Sequence, residues 1–170
     1  VPDEGDSNHL NGSKVTVGTT SVTVSAISVY VGTVDTAPNN QYQVGIYTNQ
    51  NGTPGTLVAS STAGTLTPNA WNTRPLVAQL QANTSYWLMY NTNGRSAAVN
   101  NMYYNVGSAG QGAYSTNGVP FASCPTTFGA ATLTKGVYSL YTTTDASPPP
   151  STYTLTVTDP TTGCFSTDDV

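Results

Sequence analysis

The chain has 170 residues, 37% hydrophobic and only 7% charged, where ordinary soluble domains carry roughly 25% charged residues. That is enough for one domain with a core plus an appendage, with solubility left to hydroxyls and amides. Lys14, Arg74, Arg95 and Lys135 stand singly, so no cationic row exists to neutralise phosphates and no nucleic-acid partner is expected.

In chain order, strand signals fall at Lys14–Val17, Ser21–Val34, Tyr42–Tyr47, Thr56–Ser61, Leu76–Leu80, Ser85–Tyr90, Ala98–Tyr104 and Val137–Thr142. These are β-branched or aromatic runs bounded by Gly, Pro or Asn, and no segment has a helical period. In the second run Val22, Val24 and Ala26 share one parity and Ile27, Val29 and Val31 the other. The inward face must therefore switch near Ala26-Ile27, at a bulge or a crossing between sheets. Tyr42, Val44 and Ile46 alternate with polar or small residues, whereas Tyr86–Tyr90 is apolar on both parities and predicts a central strand. Between these two strands Asn49–Gly55 is a concentrated turn signal, and Asn91–Gly94 is another. About eight strands with turns at this spacing predict an all-β, two-sheet antiparallel sandwich of jelly-roll type.

The body is expected to span residues 1–144. Residues 145–151, with Pro148-Pro149-Pro150, form a stiff linker, and 152–170 a C-terminal tail. In the tail Tyr153, Leu155 and Val157 alternate with threonines, the pattern of a half-buried strand. It predicts pairing with the chain's own sheet or, by strand addition, a neighbour's. Cys124 and Cys164 can bridge tail to body in an oxidising compartment. Two separate thiols and a link to another chain are the other readings. No apolar run nears the roughly 18 residues of a membrane span, so no membrane insertion is expected. Val1-Pro2-Asp3 does not read as a signal peptide, so the chain is expected to be a mature or excised fragment.

The residue types of catalysis are scarce. Between Ser7 and Thr144 the one carboxylate is Asp35 and the one imidazole His9. Glycoside hydrolysis wants two carboxyl groups across a cleft, and a Ser-His-Asp triad would have to use His9 with no nucleophile turn in sight. One His and two distant Cys make no zinc site. A non-enzyme is expected. Asp3, Glu4 and Asp6, with Asn8 nearby, offer hard oxygen ligands for a structural calcium, against the alternative of a solvated acidic terminus. Asp35, before Thr36-Ala37-Pro38, is expected to cap a turn. A sugar site needs aromatic faces flanked by amides or guanidinium. The densest such mixture is Arg95, Asn100, Asn101, Tyr103, Tyr104, Gln111 and Tyr114, set among glycine loops. Trp87, Tyr86 and Tyr90 are expected to be core.

Residues from Asp6 to about Tyr141 resemble the carbohydrate-binding-module-like jelly-roll domains of large secreted bacterial proteins. The likeness is carried by Ile27–Val31, Val44–Thr48 followed by Gly52–Gly55, Trp71-Asn72 and Tyr86–Leu88. The tail, Tyr153–Asp159 with Gly163–Asp168, resembles the closing strands of Ig-like repeats in bacterial surface adhesins. The resemblance implies an extracellular or cell-surface protein. Two functions are expected to compete: a non-catalytic attachment module for a polysaccharide or cell-surface glycan, and a structural subunit that self-associates through its tail.

Overall fold

The computed structural model describes residues 5–145, together with the backbone of two strands in the tail. The body strands are β1 (Asn11–Thr16), β2 (Val22–Val31), β3 (Gln41–Gln50), β4 (Thr53–Ser60), β5 (Gly64–Thr65), β6 (Ala70–Leu80), β7 (Ser85–Thr92), β8 (Tyr104–Val106), β9 (Gly112–Ser115), β10 (Ala131–Thr134), β11 (Gly136–Tyr138) and β12 (Leu140–Asp145). The tail holds β13 (Thr154–Thr158) and β14 (Phe165–Asp169). The larger sheet runs β10-β9-β1-β7-β3-β4 with β5 beside β3, the smaller runs β12-β2-β6, and β8 pairs with β11 as a separate ribbon. The fold is an all-β, two-sheet antiparallel sandwich.

Alternation places the core. Val24, Ile27, Val29 and Val31 of β2 and Leu76, Ala78 and Leu80 of β6 face Tyr42, Val44 and Ile46 of β3 and Tyr86, Leu88 and Tyr90 of β7. The parity change within β2 is a β-bulge: the β2–β6 register shifts between Val24 and Ala26, so that Ile27 rather than Ala26 faces inward. Asn51 (φ 51°) and Gly52 (φ 89°) close the β3–β4 hairpin, both in the left-handed region that a tight two-residue turn demands.

Strand β7 is central, paired with β1 on one side and β3 on the other. Both its faces are buried because residues 116–130 cover the outer side of the large sheet. Leu10, Tyr47, Trp87, Met89, Ala113 and Phe128 form a second core there. Polar groups beneath this cover form hydrogen bonds, although Asn91 Oδ1 has no hydrogen-bond partner among the described residues. The Trp87 indole N–H donates to Asn49 Oδ1 (3.0 Å), Asn91 Nδ2 donates to the Val119 carbonyl (3.1 Å) and the Tyr47 hydroxyl to the Pro125 carbonyl (3.0 Å). Cys124 belongs to this cover as a free, half-buried thiol, pushed up to about 11 by burial. The expected bridge therefore lacks a bonded Cys124, and Cys164 lies outside the described residues.

Two of the expected strand runs take another form in the structure. Residues 98–103 form a loop rather than a strand, touching β2 through a bridge from Met102 to Val31, because Asn100 turns the chain at φ 60°. The run Val137–Thr142 is split at Ser139, whose N–H bonds the Tyr103 carbonyl while its own carbonyl accepts Tyr30 N–H. In the tail, whose strand was expected to pair with the chain's own or a neighbour's sheet, β13 pairs with β14 as an antiparallel hairpin, Leu155 opposite Asp168 and Val157 opposite Ser166. Tyr153 is outside the described residues.

Candidate functional site

The structure scatters the seven residues expected to bind sugar. Asn100 is fully buried and its amide is spent: Oδ1 accepts Asp35 N–H (2.8 Å), while Nδ2 donates to the Asn39 carbonyl (2.8 Å) and Thr92 Oγ1 (2.9 Å). Asn101 is buried too, accepting Asp6 N–H and donating to the Ala97 carbonyl (2.6 Å). Both amides hold the fold and are not surface groups. Arg95 pairs with Asp35 at 2.9 Å and also reaches Thr36. Hydrogen bonds from Arg95 hold the Asp35 carboxyl well below the usual carboxylate range, and Asp35 also caps Thr36 N–H as expected. Gln111 accepts Ser108 N–H (2.7 Å) inside its own turn. Tyr104 and Tyr114 line a cavity, and Tyr103 lies elsewhere, on the outside of the small sheet.

Of the three expected calcium ligands, Asp6 is the one among the described residues. Asp6 is buried, with Oδ2 accepting Met102 N–H at 2.8 Å, so its carboxylate pins the 98–103 loop. Asp3 and Glu4 lie outside the described residues. Among the described residues, no group of three or more His, Cys, Asp or Glu side chains could hold a metal.

Tyr103 is one end of a row of four rings. Tyr30 and Trp71 are register partners on β2 and β6, with centroids 5.6 Å apart. Tyr103 meets Tyr30 at 5.5 Å, and Trp71 meets Tyr141 of β12 at 4.9 Å. Each contact is edge-to-face, with interplanar angles of 77°, 70° and 68° along the row, the geometry that aromatic quadrupoles prefer. The strand parities that send Ile27, Val29 and Val31 inward send Ser28 and Tyr30 outward, and the same logic applies to Trp71, Thr73 and Tyr141. Ser28 is only 1% exposed although it points outward; Trp71 and Tyr141, meeting above it from the strands on either side, account for that burial. A bulkier residue there would part them. Gly32 serves Tyr103 in the same way: a Cβ would stand 2.7 Å from the Tyr103 ring. Two bonds from Ser139 to the Tyr103 carbonyl fix that end of the row.

Trp71 is 51% exposed and Tyr141 47%, large values for rings this well held. The outward residues around them, Ser28, Thr73, Pro75 and Thr143, carry no charge. The result is a neutral, rigid aromatic platform on a sheet face. Tyr30, Trp71 and Tyr141 were hidden in the sequence because they lie far apart along the chain, on three strands. The usable signal was an aromatic at the outward parity of each strand.

The second feature is a cavity of about 570 Å³ between the β8–β11 ribbon and β1–β9, lined by His9, Asn11, Tyr104, Tyr114, Lys135 and Tyr138 among others. A third, of about 310 Å³, is an apolar slot at the seam of the two sheets, where Val15, Val17, Leu80, Leu88 and Leu140 line the gap beside β12. Comparison of the chain with protein-family models, curated proteins and solved structures finds no match. The functional reading therefore rests on the geometry of the chain itself.

Proposed function

We propose that the protein is a non-catalytic extracellular attachment module that binds a neutral polysaccharide across the Tyr103–Tyr30–Trp71–Tyr141 row. The observation that carries this reading is a half-exposed Trp and Tyr locked edge-to-face on an uncharged sheet face. Sugar rings offer C–H faces that stack on such rings, and pre-positioned rings lose little entropy on binding. The surrounding Ser and Thr hydroxyls suit a ligand made of hydroxyls, and the absence of charge favours a neutral glycan. Affinity electrophoresis and pull-down against xyloglucan, mannan, laminarin, cellulose and chitin test this. The wild-type chain should bind at least one of them. Trp71→Ala should weaken binding by about 2 kcal/mol, roughly thirtyfold, as for a central aromatic anchor. The variant should stay folded, with a melting temperature lower by only a few degrees, because about half of the ring is already exposed and its lost contacts are those with Tyr30 and Tyr141. A chain that binds none of these glycans, or a Trp71→Ala/Tyr141→Ala double variant that binds as well as wild type, sinks the reading.

One feature favours a second reading, a subunit that assembles by strand addition. Among the described residues β12 pairs with β2 alone, and the apolar slot lies along its side. An incoming strand with alternating apolar residues would extend the small sheet and fill that slot. The C-terminal hairpin of a neighbour is the donor the chain carries. Light scattering over a range of concentrations, on 1–170 and on a chain ending at Pro150, should then give polymers and monomers respectively. Monomers from both remove this reading and leave the first untouched.

A further inference from the structure

We infer that Asn117, at the start of the cover over the large sheet, is a site of spontaneous deamidation, where the chain modifies itself with water as its co-reactant. The chemistry is that of an asparagine followed by glycine. The glycine nitrogen attacks the side-chain carbonyl carbon, Cγ. The N–Cγ bond forms, the Cγ–Nδ2 bond breaks, and the amide nitrogen leaves as ammonia with the proton that the glycine N–H gives up. Water then opens the cyclic imide. Opening at Cγ gives aspartate, and opening at the main-chain carbonyl gives isoaspartate, whose backbone runs through Cγ. Glycine favours ring closure because no Cβ crowds it.

The chain has four such dipeptides, Asn11-Gly12, Asn51-Gly52, Asn93-Gly94 and Asn117-Gly118, and the fold sorts them. Asn11 is buried in β1 with Nδ2 donating to the Asp6 and His9 carbonyls, and Gly12 is paired on both sides, to β7 and β9. Asn93 is held at both ends of its amide: Oδ1 accepts Gln41 N–H (2.9 Å) and Nδ2 donates to the Pro38 carbonyl (2.9 Å). Asn51 is exposed, but it is a left-handed residue in a two-residue turn clamped by the Gln50–Thr53 pair. A left-handed backbone sets the next nitrogen nearly opposite Cβ, so that turn must open before the ring can close.

Asn117 carries none of these restraints. It lies outside the strands, both it and Gly118 are exposed, and its φ is not in the left-handed region. Among the described residues neither its side-chain amide nor the Gly118 N–H has a hydrogen-bond partner, so electrophile, leaving group and nucleophile are all free. The pair spans two fixed points: Thr116 N–H bonds the Ala130 carbonyl (3.0 Å) and Val119 N–H the Asn8 carbonyl (2.6 Å). The modification therefore lands on a joint of the cover, because the Val119 carbonyl also accepts Asn91 Nδ2 of β7 at 3.1 Å. Isoaspartate adds a methylene to the main chain just before that joint, and either product puts a negative charge into residues 116–130, which have none.

The test is incubation of the folded full chain in mildly alkaline buffer at body temperature. Samples taken at intervals are digested at acidic pH, where little further conversion occurs, and the peptides are read by mass spectrometry. Labelling with an isoaspartate methyltransferase identifies the isoaspartyl product. Asn117 should convert first, Asn51 slower by roughly tenfold or more, and Asn93 and Asn11 slower still. In urea that unfolds the chain the four should convert at similar rates, since the fold sets the order. Gly118→Ala should slow conversion of Asn117 by roughly tenfold or more. That variant folds, because a Cβ there would meet the Asn8 carbonyl oxygen at 3.6 Å, an ordinary contact. The inference is overturned if Asn117 stays intact, if any of the other three keeps pace with it in the folded chain, if the unfolded chain keeps the same order, or if Gly118→Ala changes nothing.

Discussion

Gly12→Ala is expected to lower the melting temperature by about 6–12 °C or more, the equivalent of about 3 kcal/mol or more in a domain of this size. The added Cβ would stand 1.8 Å from the Leu88 carbonyl oxygen and 2.8 Å from its carbon, both backbone atoms of the central strand β7. No side chain can move aside to make room. β1 cannot retreat either, because Gly12 is held between Met89 of β7 and Ala113 of β9. The damage reaches the cavity, since Asn11 lines it and Ser13 anchors Tyr138. Gly18→Ala is the matched control: nothing lies within 4 Å of its Cβ position, and its melting temperature should stay close to wild type. Thermal unfolding followed by circular dichroism reads both. A Gly12→Ala chain as stable as Gly18→Ala would mean that β1 does not lie against β7 as described.

How much of this could be read in advance depends on how locally each feature is encoded. The bulge in β2 was readable because Val24 and Ile27 stand three apart on a strand where alternation demands an even spacing. The central place of β7 was readable because Tyr86–Tyr90 is apolar on both parities. The Asn51-Gly52 turn carried its own conformational signature. Strands β9 and β10 were not readable: Gly112-Ala113-Tyr114-Ser115 and Ala131-Thr132-Leu133-Thr134 are short and weakly apolar, and pair only because the 116–130 segment folds across the sheet. The sites failed for a related reason. Arg95–Tyr114 is rich in sugar-binding residue types, but density along the chain is not proximity in space. Asn100 and Asn101 went inward to satisfy backbone groups of other segments, and Tyr103 and Tyr104 went to opposite features. The rings that join Tyr103 come from β2, β6 and β12, and their meeting depends on sheet order, which a single sequence does not encode locally.

Asn100 separates a folding role from a binding role in one experiment. Asn100→Ala should destabilise the chain by about 3 kcal/mol, a fall of about 6–12 °C in melting temperature. Two effects add. The substitution removes three hydrogen bonds that join Asp35, Asn39 and Thr92 across the buried end of the sandwich, leaving the Asp35 N–H and the Asn39 carbonyl without that partner while the Thr92 hydroxyl keeps its bond to the Gln41 carbonyl. It also puts alanine at φ 60°, a left-handed conformation that asparagine adopts readily and alanine at a cost of about 1 kcal/mol. Asn100→Gly keeps the first loss and removes the second, so it should be less damaging by about that 1 kcal/mol. Asn100→Asp should be worse than either, because a carboxylate would face the Asn39 carbonyl with no proton to offer it. Glycan affinity, measured well below each variant's unfolding transition, should equal that of wild type, since the side chain is fully buried and meets no ligand. The opposite pair of results, unchanged melting with lost affinity, would return Asn100 to the surface and to the sugar site that its sequence neighbourhood suggests.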